Sequence, residues 1–208
     1  MSEKLKHWYD GRFYDKFIAP NQDEAFRIVR ELIPAGSTVL DAGCGTGRLC
    51  FQLSGKCANI DGIDPSDKNI ITANAKLDRS LNSNIRFHHN DIKTFLVSTG
   101  SKYNFAVISY VIHEVTENKR EEILKLLSAH ADKIIVIDYL TPHPRTFTGI
   151  VNRVVEFLAG RNHYNNFMSY LRAGGLKGLS EKTGLSITKE IRNFPRTSHI
   201  MVLSKIND

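Results

Sequence analysis

Where a short apolar run meets a helical repeat, the chain reads Asp41-Ala42-Gly43-Cys44-Gly45-Thr46-Gly47-Arg48. Glycines at such a turn let the backbone approach a ligand closely. The helix N-terminus behind them offers N–H groups that have no intrahelical partner. That combination suits a nucleotide-like molecule, and two details narrow it. The dinucleotide fingerprint needs a third glycine three positions after the second, where this chain has Arg48. The Gly-Lys-Ser/Thr tail of a triphosphate-binding loop is also missing. Asp41 stands just before the glycines, and a carboxylate there repels a pyrophosphate but attracts positive charge. The expected ligand is nucleoside-like, cationic and free of phosphate. Asp64-Pro65, Asp91-Ile92, Tyr110, His113-Glu114 and His163-Tyr164 are the other groups able to do chemistry. Cys44, Cys50 and Cys57 make an odd set without Cys-x-x-Cys spacing, so neither a disulfide framework nor a zinc site is expected. No metal ligands are assigned. Cys44 has no basic neighbour to activate it and is read as a small loop residue.

The elements that must position these groups show in the switching apolar period. Ala25, Phe26, Ile28, Val29 and Leu32 recur at helical spacing, with Asn21 as the expected N-cap and Glu24 three residues later. Pro34 and Gly36 end that helix. A strand over Thr38–Leu40 leads into the glycine turn, and Leu49, Cys50 and Leu53 continue as a helix. Strands over 58–63, 85–88, 105–110 and 134–137 follow, with helices over 69–77 and around Ile123, Leu126 and Leu127. Two late runs, 186–191 and 199–203, are close enough to pair around Asn193, Phe194 and Pro195. The expected fold is α/β: a doubly wound, mostly parallel seven-stranded sheet, helices on both faces, and a C-terminal antiparallel hairpin. With 208 residues and no linker or repeat, one domain over 1–208 is expected. The longest apolar stretch, Phe105–Ile112, is broken by Ser109 and falls far short of the ~20 residues of a membrane span. No secretory h-region opens the chain, so a cytoplasmic location is expected. The net charge of +6 is scattered rather than clustered, which speaks against a nucleic-acid partner.

Val39–Leu49 resembles the glycine motif of class I S-adenosylmethionine-dependent methyltransferases. The donor of that family joins an adenosine, a sulfonium and an ammonium group. The resemblance runs over residues 38–115. It implies that Asp41, Gly43, Cys44, Gly45, Thr46 and Gly47 cradle S-adenosyl-L-methionine, and that Asp64, with Pro65, accepts both ribose hydroxyls. It further implies that Asp91 accepts from the adenine amine while Ile92 packs on the ring. Phe105–Val115, including Tyr110, looks like the family segment that lies beneath the reactive methyl group. Read without the resemblance, Asp64 and Asp91 are also ordinary helix or turn caps.

Methyl transfer from a sulfonium needs positioning in a dry site, and a hydroxyl or ammonium acceptor also benefits from a general base. His113 is the candidate base; its bland alternative is a packed loop histidine. The Asn/Asp-Pro-Pro-aromatic, Pro-Cys and paired-glutamate signatures of nucleic-acid and arginine methyltransferases are missing after the fourth strand. A small-molecule or lipid-like acceptor remains. An RNA or protein methyltransferase and a non-catalytic donor-binding module are the alternatives, and oligomeric state is open. Two segments are expected to cover the acceptor: an N-terminal lid over 1–20, with Tyr14, and a helical insertion over 141–173, with His163 and Tyr164. In the insertion Phe147, Ile150, Val151, Val154 and Leu158 share one helix face.

Overall fold

The computed structural model describes residues 19–193 and 197–206. Helix α1 (Ala19–Leu32) leads into β1 (Thr38–Ala42) and α2 (Arg48–Leu53). Then follow β2 (Asn59–Asp64), α3 (Asp67–Leu77), β3 (Ile85–His89), α4 (Ile92–Thr99), β4 (Tyr103–Ser109), α5 (Glu117–His130) and β5 (Ala131–Tyr139). Helices α6 (Phe147–Leu158), α7 (Arg161–Arg172) and α8 (Gly175–Thr183) precede β6 (Leu185–Arg192) and β7 (Ser198–Lys205). The strands form one seven-stranded sheet in the order β3-β2-β1-β4-β5-β7-β6. The first five are parallel, and β7 pairs antiparallel with both β5 and β6.

Alternate residues of each central strand feed two separate cores, as the period of two requires. Val39, Phe105, Val107, Ile135 and Ile137 pack against Phe26 and Val29 of α1, Leu49 and Leu53 of α2, and Ile70 of α3. Leu40, Ala106, Ile108, Ile134 and Val136 pack against Phe95 of α4, Leu124 and Leu127 of α5, Tyr170 of α7 and Leu179 of α8. The sheet is thus covered on both faces. The strand order reverses between β1 and β4, and in such sheets the ligand crevice lies beyond the carboxyl ends at that point.

Three details depart from the sequence reading. Helix α1 is already helical at Ala19, so Asn21 lies within its first turn and is not its cap. Helix α4 was not anticipated: Ile92, Phe95 and Leu96 do stand at helical spacing, but the helix is only 8 residues long, too short for the repeat to stand out. Helix α6 has the expected apolar face, but the face points outward: Phe147 is 81% exposed and Ile150 56%, while Glu156 is buried at 4%. No residue of α6 joins either core. Arg48, at the start of α2, is paired rather than free in solvent. Its guanidinium forks onto Asp23 at 2.7 and 2.6 Å and ties α2 to α1. Among the described residues, no helix is long and apolar enough to cross a membrane.

Candidate active site

The glycine loop leaves β1 at the reversal point. The N–H groups of Gly43 and Cys44 both donate to Ile63 O, at 2.8 and 3.0 Å, so the turn is pinned to the end of β2. Gly43 has φ +83°, and a Cβ there would come within 2.6 Å of Val111 Cγ2. Only glycine lets this turn lie so close to the segment after β4. Gly45 also has positive φ, and a Cβ on it would meet nothing within 4 Å. That side of the loop is open. Cys44 is buried, with its Sγ 3.6 Å from Gly45 O, and Thr46 accepts a hydrogen bond from Lys76 Nζ at 2.9 Å. All three cysteines are buried thiols.

Two acids flank the loop differently. Asp64 is satisfied by the backbone: Oδ2 accepts from Gly45 N–H at 2.9 Å, and Oδ1 from Ser66 N–H at 2.8 Å and Asn69 Nδ2 at 3.2 Å. It holds the loop and the start of α3 together, next to exposed Pro65. Asp41 is 1% exposed. Its Oδ2 accepts from the Cys50 thiol at 3.2 Å, while its Oδ1 has no hydrogen-bond partner. Burial pushes this carboxyl up to about 7. The Cys50 hydrogen bond opposes that rise, and the charge of Asp64 adds to it. A buried acceptor without a donor is uncommon and calls for an occupant.

Asp91 lies at the carboxyl end of β3, is exposed, and caps α4. Its two oxygens accept from Thr94 N–H at 3.0 Å and Thr94 Oγ1 at 2.7 Å. Ile92, half-buried, begins the helix. Capping accounts for Asp91 without a ligand, and its second lone pairs stay available for one.

After β4 the chain turns sharply at Tyr110, whose φ of 55° is rare for a bulky residue and marks a backbone held by its surroundings. Its N–H donates to Ile137 O at 2.8 Å, and its hydroxyl meets Ser198 Oγ at 3.0 Å. Three residues on, His113 is buried at 2%. Its Nδ1 lies 2.7 Å from Asp138 Oδ1, and its backbone N–H donates to Asp138 Oδ2 at 3.1 Å. Its Nε2 faces Glu156 Oε1 at 3.6 Å and Glu114 Oε1 at 3.9 Å. His163 of α7 completes the group, with Nδ1 2.7 Å from Glu156 Oε2 and Nε2 3.2 Å from Glu114 Oε1. Tyr139 donates to Glu156 Oε1 at 2.8 Å. Burial works against a charged His113, but the charges of Asp138 and Glu156 outweigh it and hold the imidazole well above its ordinary range. His163 is pushed up to about 9, burial again opposing Glu114 and Glu156. Tyr164 is half-buried beside Phe157, ring centroids 5.6 Å apart. Tyr14 and most of the 1–20 segment lie outside the described residues.

The sequence singles out the loop, Asp41, Asp64, Tyr110, His113 and His163, which the fold places at or near the carboxyl ends of β1, β2 and β4 and on α7. It missed Asp138, Glu156 and Arg120. Asp138 had a signal, since it follows an apolar strand as Asp41 does. Glu156 also had one, as a lone acid within Val154-Val155-Glu156-Phe157-Leu158. Arg120 had none, sitting among other charges in Glu117–Glu122. In the fold it is 2% exposed and donates to Ile112 O at 3.2 Å, Val115 O at 3.0 Å and Asn166 O at 2.6 Å. It thereby fastens the segment after β4 to α7.

Residues 39–133 match a family model described as a methyltransferase domain. Over 158 residues, 74% of this chain, the sequence is 30% identical to the chloroplastic magnesium protoporphyrin IX methyltransferase of Arabidopsis thaliana and spans 48% of that protein. Over 84 residues, 39% of this chain and 23% of the relative, it is 32% identical to the human mitochondrial ubiquinone biosynthesis O-methyltransferase. The chain thus spans about half the length of the Arabidopsis relative, and less of the human one. Among solved structures, magnesium protoporphyrin IX methyltransferase from Synechocystis PCC 6803 with bound SAH superposes with a TM-score of 0.69 at 21% identity. That superposition covers 95% of this chain and 91% of the other.

Proposed function

Because the chain belongs to the class I S-adenosylmethionine-dependent methyltransferases, we propose that it transfers a methyl group from S-adenosylmethionine to a small-molecule acceptor. The observation that carries this reading is the loop at the sheet's reversal point. There Gly45 faces open space, and the buried Asp41 Oδ1 has no donor. A cationic nucleoside supplies what both lack. That donor brings an already activated methyl group, which leaves the protein with binding, orientation and exclusion of water. Once ionised, Asp41 contributes a negative charge in a low-dielectric setting, where a cation is attracted strongly. Asp64 keeps the loop in shape through Gly45 N–H and has a lone pair left on Oδ2 for a hydroxyl. Asp91 and Ile92 are assigned to the adenine, and Tyr110 to the wall beneath the methyl group.

For the acceptor, two observations support the region under α6 and α7. Helix α7 docks at the carboxyl ends of β4 and β5 through Asn166 Nδ2 to Glu114 O, at 2.7 Å, and Tyr170 Oη to Tyr139 O, at 2.9 Å. It carries His163 and Tyr164 to the same place. The two relatives named above act, by their names, on a metalloporphyrin and in ubiquinone biosynthesis. An aromatic or lipid-like acceptor suits this region, where half-buried Tyr139 and Tyr164 pack on the buried Phe167. In the described arrangement His113 faces Glu114 and Glu156, so acting as a base on an acceptor requires α6 and α7 to swing away. The test is calorimetry with S-adenosylmethionine, followed by S-adenosylhomocysteine accumulation across a metabolite library. Binding together with turnover on at least one small molecule supports the proposal. A folded protein that binds NAD and not S-adenosylmethionine overturns it.

A further inference from the structure

We propose that His113, His163 and Glu114 form a site for one divalent transition-metal ion, joining the segment after β4 to α7. Two of the side chains come from the segment after β4 and the third from α7, about 50 residues later, yet their ligand atoms all lie within 4.8 Å of one another. His163 Nε2 to Glu114 Oε1 is 3.2 Å, and His113 Nε2 to the same oxygen is 3.9 Å. Ligands bound tetrahedrally to a zinc-like ion at ~2.1 Å stand roughly 3.4 Å apart, so these separations need only small adjustments to share one ion.

The surroundings of the imidazoles point the same way. Metal-bound histidines almost always turn their other ring nitrogen to a carboxylate, carbonyl or water, which fixes the tautomer and aims the lone pair. Both histidines here show that arrangement with a carboxylate. His113 Nδ1 meets Asp138 Oδ1 at 2.7 Å, and His163 Nδ1 meets Glu156 Oε2 at 2.7 Å. His163 Nε2 is then directed toward Glu114, while His113 Nε2 lies between Glu156 and Glu114, at 3.6 and 3.9 Å, and a metal ion binds there by displacing the protons that the acids hold on the two rings. The two supporting acids are themselves held. Asp138 accepts from the backbone N–H of His113 and Tyr139, and Glu156 from the Tyr139 hydroxyl. Glu114 is 40% exposed, which provides both an entry path and room for further ligands from solvent. Two imidazole nitrogens and one carboxylate oxygen favour zinc, cobalt, manganese or iron(II) over magnesium, which prefers all-oxygen shells. The site does not depend on donor binding, because none of its ligands belongs to the glycine loop.

The experiment uses full-length protein stripped with chelator and titrated with Co2+, Zn2+ or Mg2+, following calorimetry and the visible absorbance of Co2+. One equivalent of Co2+ with a low-coordinate visible band, displaced by Zn2+ and not by Mg2+, is expected. Glu114→Gln and His163→Ala, each checked for folding by circular dichroism, should lose that band. Asp138→Asn should weaken metal affinity 10–100-fold, as loss of an outer carboxylate does. His89→Ala, at an exposed histidine outside the cluster, should change nothing. Absence of saturable Co2+ binding in the wild type overturns the proposal. So does a band that survives both Glu114→Gln and His163→Ala. S-adenosylmethionine affinity measured on the same stripped protein separates failure here from failure of the proposed activity.

Discussion

Asp41→Asn separates the electrostatic part of the donor site from its shape, because the two side chains are nearly isosteric. The Asp41 carboxyl is raised by burial from an ordinary 3.8 to about 7. Between those values the native state holds a proton that the unfolded chain has released. Stability therefore falls as pH rises through this window and levels off above about 7. At 1.36 kcal/mol per pH unit, the part of the window between pH 5 and pH 8 is worth about 2.5 kcal/mol. Asparagine does not titrate, so that slope should vanish. Urea unfolding of both proteins at pH 5, 6, 7 and 8 gives the comparison, and contributions from every other group cancel in the difference. The variant should gain about 2.5 kcal/mol on the wild type over that range, whatever its absolute stability. In the same series, wild-type affinity for S-adenosylmethionine should strengthen as pH passes about 7, because an ionised Asp41 then attracts the cation. Parallel stability curves would refute the buried, protonated Asp41. A donor affinity equal in the two proteins at pH 8 would remove Asp41 from the donor site.

Asp64→Ala removes the acceptor of Gly45 N–H, Ser66 N–H and Asn69, each charge-assisted bond worth about 1.5–3 kcal/mol before compensation, and calorimetry should show donor affinity at least tenfold weaker. Asp91→Ala should cost about 1 kcal/mol as a lost cap. It should also reduce the preference for an adenosyl over an inosyl donor, whereas equal loss for both donors would leave Asp91 a cap alone. Gly43→Ala forces a methyl group to within 2.6 Å of Val111 Cγ2 at φ +83°, so thermal stability should drop, and adding Val111→Ala should restore only the steric part. Glu156→Gln leaves two imidazoles and the Tyr139 hydroxyl facing a neutral amide; hydrogen exchange should show α6 and α7 opening more often, and unchanged protection would mean that other contacts hold them.

The sheet was readable because its strands are short apolar runs bounded by turns, and the alternation of strands and helices leaves few topologies. Asp41 and Asp64 were readable as well, being acids that close such runs. Asp138 sits in the same position on β5, yet nothing nearby in sequence resembles a loop that needs a charge. Its partner His113 is 25 residues earlier, and only the parallel pairing of β4 with β5 brings the two together. Asp91 was legible as to place but ambiguous as to role, since a helix cap and an adenine acceptor ask for the same residue at the same strand end. Helix α4 shows the limit of periodicity: it is 8 residues long and buries only Phe95 and Leu96, too short a stretch for its repeat to stand out.

Helix α6 shows how a periodic pattern can be right about the element and wrong about its direction. Five apolar side chains at helical spacing predict a face turned toward the core, and full burial would favour that by about 1.5–3 kcal/mol for each. The fold turns that face outward and buries Glu156 instead. A buried carboxylate is tolerated only where charges and donors compensate it. His113, His163 and Tyr139 provide this at 3.6, 2.7 and 2.8 Å. His143, buried beside them, adds a contact at 3.1 Å to Gly149 O. The attachment of α6 is thus polar, directional and local to the ends of β4 and β5, and an apolar attachment would not be. Apolar packing tolerates sliding, because its energy depends on area rather than direction. A carboxylate bridging two imidazoles fixes one position. The same residues that attach α6 also set where α7 places His163. An apolar helix face left in water is thus offset by a polar anchor that holds His163 against His113 and Glu114 at the ends of β4 and β5.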